Sequence, residues 1–212
     1  MVLYHLDRNR SLITGMPINP IPESEIPEDL KETILYSKFE HGLSKHGLNY
    51  LNLSCNTFPY LHYMDGRILF EEPYVDESLK TIDSQIIELT AELVRSAYFP
   101  QYPSRYESLF AVRSIQDFYQ WPELCDRESF QNARIFEIEA PNETHGFDSK
   151  WLRGGISRGI SNARFYIAHA SAYCFDFAYK YWSQVPSDSP RWEYLIPLPI
   201  DGTRVRLNIS KE

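Results

Sequence analysis

Short strands at both ends of the chain, with helices between them, predict an α+β domain whose terminal strands can be neighbours. Three segments carry this expectation. Residues 2–6 read as a first strand, and residues 77–98 carry the clearest helical periodicity. Near the C-terminus the apolar run Trp192-Glu193-Tyr194-Leu195-Ile196 is separated by Asp201-Gly202 from the alternating run Thr203-Arg204-Val205-Arg206-Leu207. An Asp-Gly pair between two such runs predicts a β-hairpin. A chain of 212 residues is long enough for one substantial core, so one domain over 1–212 is expected.

The elements follow in order. Pro17, Pro20, Pro22 and Pro27 make 15–28 a loop. Leu30, Ile34, Leu35, Phe39 and Leu43 predict a helix over 28–45, with Gly47 as its stop. Residues 48–75 mix aromatics and turns and take no assignment. In the helix over 77–98, Leu79, Ile82, Ile86, Leu89, Leu93 and Ala97 form the apolar stripe, and Pro100 and Pro103 end it. Residues 108–112 read as a strand, and Ser114 caps a short helix to Trp121. Residues 133–140 alternate as a half-buried strand, with Phe136, Ile138 and Ala140 inward. A long glycine-containing loop over 141–161 precedes a helix at about 162–182, with Tyr166, Ala170, Tyr173, Phe177 and Tyr181 on one stripe read as core.

Composition narrows the function classes. The formal charge of −8 argues against phosphate binding over the whole surface, though a local basic groove stays possible. Cys55, Cys125 and Cys174 are widely spaced, odd in number and without a CxxC pair, which predicts neither a zinc site nor a disulfide framework. His145 and Asp148 lack a partner set, so no metal is expected. The N-terminus turns charged at once, and no apolar run reaches the ~20 residues that span a bilayer, so a soluble cytoplasmic protein with no membrane partner is expected. Fifteen Tyr and 12 Phe suit either a core or a site that grips planar ligands.

Glu193 stands out because a carboxylate in an apolar strand is costly to desolvate without a partner or a task. One reading points it to solvent from an edge strand; the other makes it functional. Four segments bear on the choice: Tyr4-His5 with Arg10; Tyr102-Pro103-Ser104-Arg105 running on to Ser108 and Phe110; Trp121; and Trp192-Glu193-Tyr194. Each has a plain alternative. His5 reads as a core histidine, Phe110 and Trp121 as core residues joining a strand to its helix, and Arg105 with Glu107 as a surface pair of little weight.

In order and spacing these residues resemble the ADP-ribosyltransferases, in the branch shared by diphtheria-like toxins and poly(ADP-ribose) polymerases. That branch has a histidine on its first strand, two aromatic rings with ten residues between them, and a late catalytic glutamate often followed by Tyr. The chain also resembles a bacterial and phage family with a YH start, a YPSR segment, a Tyr-Trp pair ending a late helix (here Tyr181-Trp182) and a terminal glutamate strand. This second likeness covers most of residues 1–15 and 95–207 and leaves about 16–94 as a possible helical insertion. Phe110 and Trp121 keep the ring faces of the branch and lack its tyrosine hydroxyls.

The resemblance implies a split β-sheet core with a helical insertion in the N-terminal half, and a mono-ADP-ribosyltransferase with NAD as co-substrate. Glu193 takes the catalytic role, orienting the ribose and steadying an oxocarbenium-like centre. Phe110 and Trp121 sandwich the nicotinamide, His5 bonds the adenosine ribose, and Arg10 or Arg105 pairs with the pyrophosphate. Ser104 and Ser108 support the carboxylate or the ribose. The acceptor is nucleic acid or protein, the biological role a toxin or defence effector, and a neutralising antitoxin a possible partner. The alternative is an inactive NAD, ADP-ribose or protein-binding module on the same fold. The loop Trp151-Leu152-Arg153-Gly154-Gly155-Ile156-Ser157-Arg158-Gly159, with Arg164, reads as a flexible solvated loop, an acceptor-recognition patch or a pyrophosphate cradle.

Overall fold

A computed structural model describes residues 1–51, 61–64, 67–70, 75–121, 130, 132–154 and 167–208, with side chains for 1–51, 83–121, 130, 132–154 and 172–208. The described strands are β1 (Val2–Asp7), β2 (Leu61–Met64), β3 (Arg67–Phe70), β4 (Ser108–Ala111), β5 (Arg134–Glu139), β6 (Gly146–Asp148), β7 (Trp192–Pro197) and β8 (Val205–Leu207). The described α-helices are α1 (Glu28–Lys31), α2 (Lys45–Leu51), α3 (Val75–Tyr98) and α4 (Ile167–Trp182). The fold is α+β.

Two three-stranded sheets carry the molecule, ordered β1-β5-β8 and β4-β7-β6, and every pairing in them is antiparallel. Among the described residues they meet at a single bridge, where the backbones of Tyr4 and Val112 exchange two hydrogen bonds of 2.8 Å. A separate hairpin pairs β2 with β3.

Strand alternation gives the β4-β7-β6 sheet two buried faces. Ala111 and Ile196 pack against Leu3, Phe136 and Ile138 of the other sheet. Leu195 and Phe147 pack against Ala91, Tyr181 and Trp182 of α3 and α4. Glu193 is two residues before Leu195 and therefore faces the helices. A third cluster joins Leu6 and Ile135 to Phe118 and Trp121, which buries the second face of β5 as well. The sequence reading had one face of β5 buried; Ile135 is covered because the turn before Trp121 folds over it.

The predicted C-terminal hairpin is not formed. β7 lies in one sheet and β8 in the other. Pro197 and Pro199 lack the N–H groups that a continuing ladder needs. Asp201 caps a 3-10 turn at Gly202–Arg204, accepting from the backbone N–H of Thr203 at 2.8 Å and its hydroxyl at 2.7 Å, so the Asp-Gly pair serves a sheet change. The helix expected over 28–45 is reduced to α1 and a 3-10 turn at Tyr36–Lys38. Gly47 lies inside α2, where a Cβ would fall 2.2 Å from the carbonyl oxygen of Tyr106. The helix after Ser114 is a 3-10 turn, Ile115–Gln120. The described part of the loop 141–161 contains β6 and a 3-10 turn at Ser149–Trp151. Gly155, Arg158, Gly159, Arg164 and Tyr166 lie outside the described residues. Tyr181 is buried as expected of a core stripe, whereas Tyr173 is exposed.

Candidate functional site

The segment Tyr102-Pro103-Ser104-Arg105 turns the chain from α3 into β4. Ser104 Oγ accepts from the backbone N–H of Tyr106 at 3.1 Å and donates to Glu92 Oε2 at 2.8 Å. Ser108 Oγ donates to the Ser104 carbonyl at 2.6 Å. This locked turn sends the Arg105 side chain inward, where the residue is 3% exposed. Its Nε and Nη2 donate to the two oxygens of Glu88 at 2.7 and 2.8 Å, the fork geometry that suits a guanidinium. Nη1 donates to the Tyr181 hydroxyl at 2.7 Å and to Glu193 Oε1. The Tyr181 hydroxyl in turn donates to Glu193 Oε1 at 2.8 Å. The guanidinium carbon lies 4.7 Å from the Phe110 ring centroid and 5.2 Å from that of Tyr181.

His46 of α2 closes the other side. Its ring is 4.5 Å from Phe110 and 4.5 Å from Tyr50, centroid to centroid. Its Nε2 is buried 3.4 Å from Glu88 Oε2, without hydrogen-bond geometry. Burial pushes the Glu88 carboxyl up, but Arg105 and then His46 pull it further down, and it ends well below the ordinary carboxylate range. Burial disfavours the charged Arg105, and the two carboxylates more than reverse that. The Tyr181 phenol is raised well above its ordinary value, first by burial.

The structure thus resolves the two readings of Glu193 in part. It is 7% exposed and sits on the central strand of its sheet, between β4 and β6, not on an edge. One oxygen is held by Arg105 and Tyr181, and Oε2 has no hydrogen-bond partner among the described residues. Phe110 stands beside it through Arg105. His5 is one step further: its Nδ1–H donates to the Phe110 carbonyl at 2.7 Å, which fixes the ring tautomer. Burial pushes the His5 imidazole below its ordinary value, and the bond to Phe110 offsets part of that.

Other expected site residues lie elsewhere. Trp121 packs with Leu6, Val112 and Phe118, under the Arg191 guanidinium at 5.1 Å, while Phe110 packs with the α3–α4 cluster. These two rings have different neighbours and do not form a pair. Arg10, in a left-handed backbone conformation (φ 53°), donates from Nε to the Asn132 carbonyl at 2.7 Å and is exposed. Arg105 is not a surface partner of Glu107; that carboxylate accepts from the backbone N–H of His41 at 3.1 Å. Ser104 and Ser108 hold the turn that presents Arg105 and touch neither Glu193 oxygen.

Trp192 and Tyr194 point to the opposite face of β7 from Glu193. With Arg113, Asp117 and Gly146 they line an open groove of about 390 Å³. A Cβ on Gly146 would fall 2.9 Å from the Tyr194 ring, so glycine is what lets that ring lie flat across β6. Among the described residues no group of three His, Cys, Asp or Glu side chains could hold a metal ion. No described helix is long and apolar enough to cross a membrane.

Sequence reasoning missed Glu88, His46 and Tyr50, which come from the stretch 16–94, and assigned Tyr181 to packing alone. Glu88 is on the helix face away from the apolar stripe, where a carboxylate reads as solvated. Only the pairing of an inward Arg105 with a second inward acid reveals it. The Tyr-Trp pair at 181–182 was the one visible signal: Tyr181 serves Glu193, and the Trp182 indole donates to the Ala91 carbonyl at 2.8 Å.

No curated protein matches the chain. Residues 3–208, which include the stretch 16–94, match the model of a family described as a protein of unknown function, DUF2441. That match spans nearly all of the sequence, and the chain belongs to this family.

Proposed function

We propose that the protein is a NAD-dependent mono-ADP-ribosyltransferase, with Glu193 as its catalytic carboxylate, acting as a toxin or defence effector on nucleic acid or protein. The observation that carries this reading is the state of Glu193: a nearly buried carboxylate with Oε1 clamped by Arg105 and Tyr181 and Oε2 without a hydrogen-bond partner among the described residues. Such a group is fixed in place and keeps one acceptor for substrate. The meeting of two antiparallel sheets at one bridge, with His5 beside it, supports a split-sheet core of the expected kind.

In the proposed reaction the bond between ribose C1′ and the nicotinamide nitrogen breaks, and nicotinamide leaves with the electron pair. Oε2 of Glu193 accepts a hydrogen bond from the ribose 2′-hydroxyl and steadies the positive charge that develops at C1′. The acceptor nucleophile then bonds to C1′ and gives up its proton to Glu193 or to water. Arg105 and Tyr181 act as positioning residues for Glu193. Arg105 does not contact pyrophosphate in this scheme, because both its edges are already engaged.

The test is incubation of the protein with labelled NAD and a cell lysate. Label transfer or nicotinamide release is expected, and Glu193→Gln is expected to lower it at least ~100-fold while NAD still binds. Absence of any turnover by the wild type would remove the enzyme reading. One observation favours a second reading, an inactive module that binds NAD or a related ligand: the Arg105 charge is wholly matched inside the protein. Saturable NAD binding without nicotinamide release would select that reading.

A further inference from the structure

From Ser149 to Phe175 the chain carries Lys150, Arg153, Arg158 and Arg164 and no Asp or Glu. In a chain of formal charge −8 this is a local reversal of sign. The described part of the stretch, together with the next turn of α4, forms a surface of rings and cations.

Three rings stand in a row. Trp151 and Phe177 are stacked with centroids 5.8 Å apart and planes 26° off parallel, and Phe177 and Tyr173 are stacked at 6.1 Å and 22°. Tyr173 and Phe177 are four residues apart on α4, so they share a face one turn apart. Trp151 comes from the 3-10 turn at Ser149–Trp151, and its indole N–H donates to the Val185 carbonyl at 2.7 Å. Gly154 brings the chain close against the helix. Its φ is 118°, and a Cβ there would fall 2.3 Å from Cys174 Sγ. Phe177 is half-buried, whereas Tyr173 is 56% exposed, so the row ends in an exposed ring.

Two cations lie on these rings. The Arg153 guanidinium carbon is 4.5 Å from the Phe177 centroid and 4.8 Å from that of Trp151. Lys180 Nζ is 5.0 Å from Trp151 and 5.7 Å from Phe177. Asp176 accepts from Lys180 at 2.7 Å and matches that charge. Arg153 is exposed and has no carboxylate partner among the described residues. An unmatched guanidinium attracts an anion, and flat ring faces select an anion that carries planar groups. A single strand of nucleic acid has both, bases for the ring and guanidinium planes and phosphates for the charge. A duplex hides its base faces, and an anionic lipid surface offers no planar group to stack.

We infer that the Trp151–Phe177–Tyr173 row with Arg153 is a platform for single-stranded nucleic acid, and that it holds the acceptor strand. The second part rests on the proposed transferase activity, whose acceptor is nucleic acid or protein; this surface selects the first. Tyr173, Phe177 and Tyr181 follow at four-residue steps on α4, and Tyr181 donates to Glu193 Oε1 at 2.8 Å. Tyr173 to Tyr181 is about 12 Å along the helix axis. One helix therefore carries the platform and a positioning residue of the catalytic carboxylate, at a separation that a few nucleotides span.

Fluorescence anisotropy of dye-labelled single-stranded DNA and RNA oligonucleotides, with the full-length Glu193→Gln chain and no NAD, reads binding apart from transfer. Saturable binding that weakens with salt is expected, with the same sequences as duplexes bound at least ~10-fold more weakly. Tyr173→Ala is expected to raise the dissociation constant at least ~5-fold, while Tyr173→Phe keeps the ring and the affinity. Arg153→Gln is expected to lower the salt slope by about one phosphate contact. Both positions are exposed, so circular dichroism should be unchanged. Equal affinity for the duplexes, an unchanged dissociation constant for Tyr173→Ala, or binding to phosphatidylserine vesicles and to no oligonucleotide overturns the inference. The two failures are distinct. An oligonucleotide bound through Tyr173 but never labelled from NAD by the wild type keeps the platform and removes the transferase. Label on protein alone, with no oligonucleotide bound, removes the platform and keeps the transferase.

Discussion

Arg105 separates two carboxylates that would otherwise face each other in a space closed to water. Removing it leaves both unmatched, so Arg105→Met is expected to destabilise the fold by about 3–5 kcal/mol, read by urea unfolding. Arg105→Lys restores a charge without the fork and is expected to recover only part of that loss. The acid side of the stability profile follows from the same groups. Glu88 and Asp7 have folded-state values below their unfolded ones, Glu88 because Arg105 and His46 outweigh burial, Asp7 because the Leu12 and Ser11 N–H groups and Arg134 do. Their stabilisation is complete above about pH 5 and is lost as pH falls through the folded values. His5, lowered by burial, adds a loss in the same direction beginning as pH falls through about 6.5, where the unfolded imidazole starts to take a proton. The unfolding midpoint should therefore be level near neutrality and fall on acidification, with Glu88→Gln flattening the steepest part. Glu107, raised by burial, works in the opposite sense, so the decisive comparison is between variants: a Glu88→Gln midpoint that falls below pH 5 as steeply as the wild type's would contradict this assignment. Glu193 was legible in the sequence because an acid in an apolar strand is conspicuous. Glu88 and His46 were not, because their only signal is a partner many residues away in the chain.

At the scale of elements, α2 is placed by a missing side chain. A Cβ at position 47 would collide with the backbone of Tyr106, whose oxygen would be 2.2 Å away. Gly47→Ala raises helix propensity by about 1 kcal/mol, while overpacking against main chain costs about 1–3 kcal/mol. Net destabilisation is expected by thermal unfolding, together with loss of the His46 contacts to Phe110 and Tyr50, visible as a shifted His46 ring resonance. Periodicity found β1, α3, β4 and β5 because each is long enough to show its repeat. It misread the last forty residues in one respect: Asp-Gly predicts a turn, and a turn is present, but the strands it joins belong to different sheets. Local chemistry specifies the bend and not the partner of the strand beyond it. The apolar stripe on α3 is likewise legible as a stripe, but a repeat of three and four does not say which face the fold buries, and Ile86, Leu89 and Leu93 are exposed.

Over the whole molecule, two sheets share one bridge, and this has a dynamic consequence. Among the described residues, the paired Tyr4 and Val112 backbone bonds and the His5 bond to Phe110 are the hydrogen bonds that connect the strands at the junction. Within each sheet, by contrast, Ile138 and Tyr194 lie in ladders paired on both sides. Local opening there breaks a few bonds and leaves both ladders whole, and the core the sheets share, Ala111 and Ile196 against Leu3, Phe136 and Ile138, limits how far it goes. In deuterated solvent the Tyr4 and Val112 amides should exchange faster than those of Ile138 and Tyr194. His5→Ala should widen that gap, because the imidazole is the one side-chain tie described there. The joint then loosens locally at its backbone pair, while the core beneath it keeps the two sheets together.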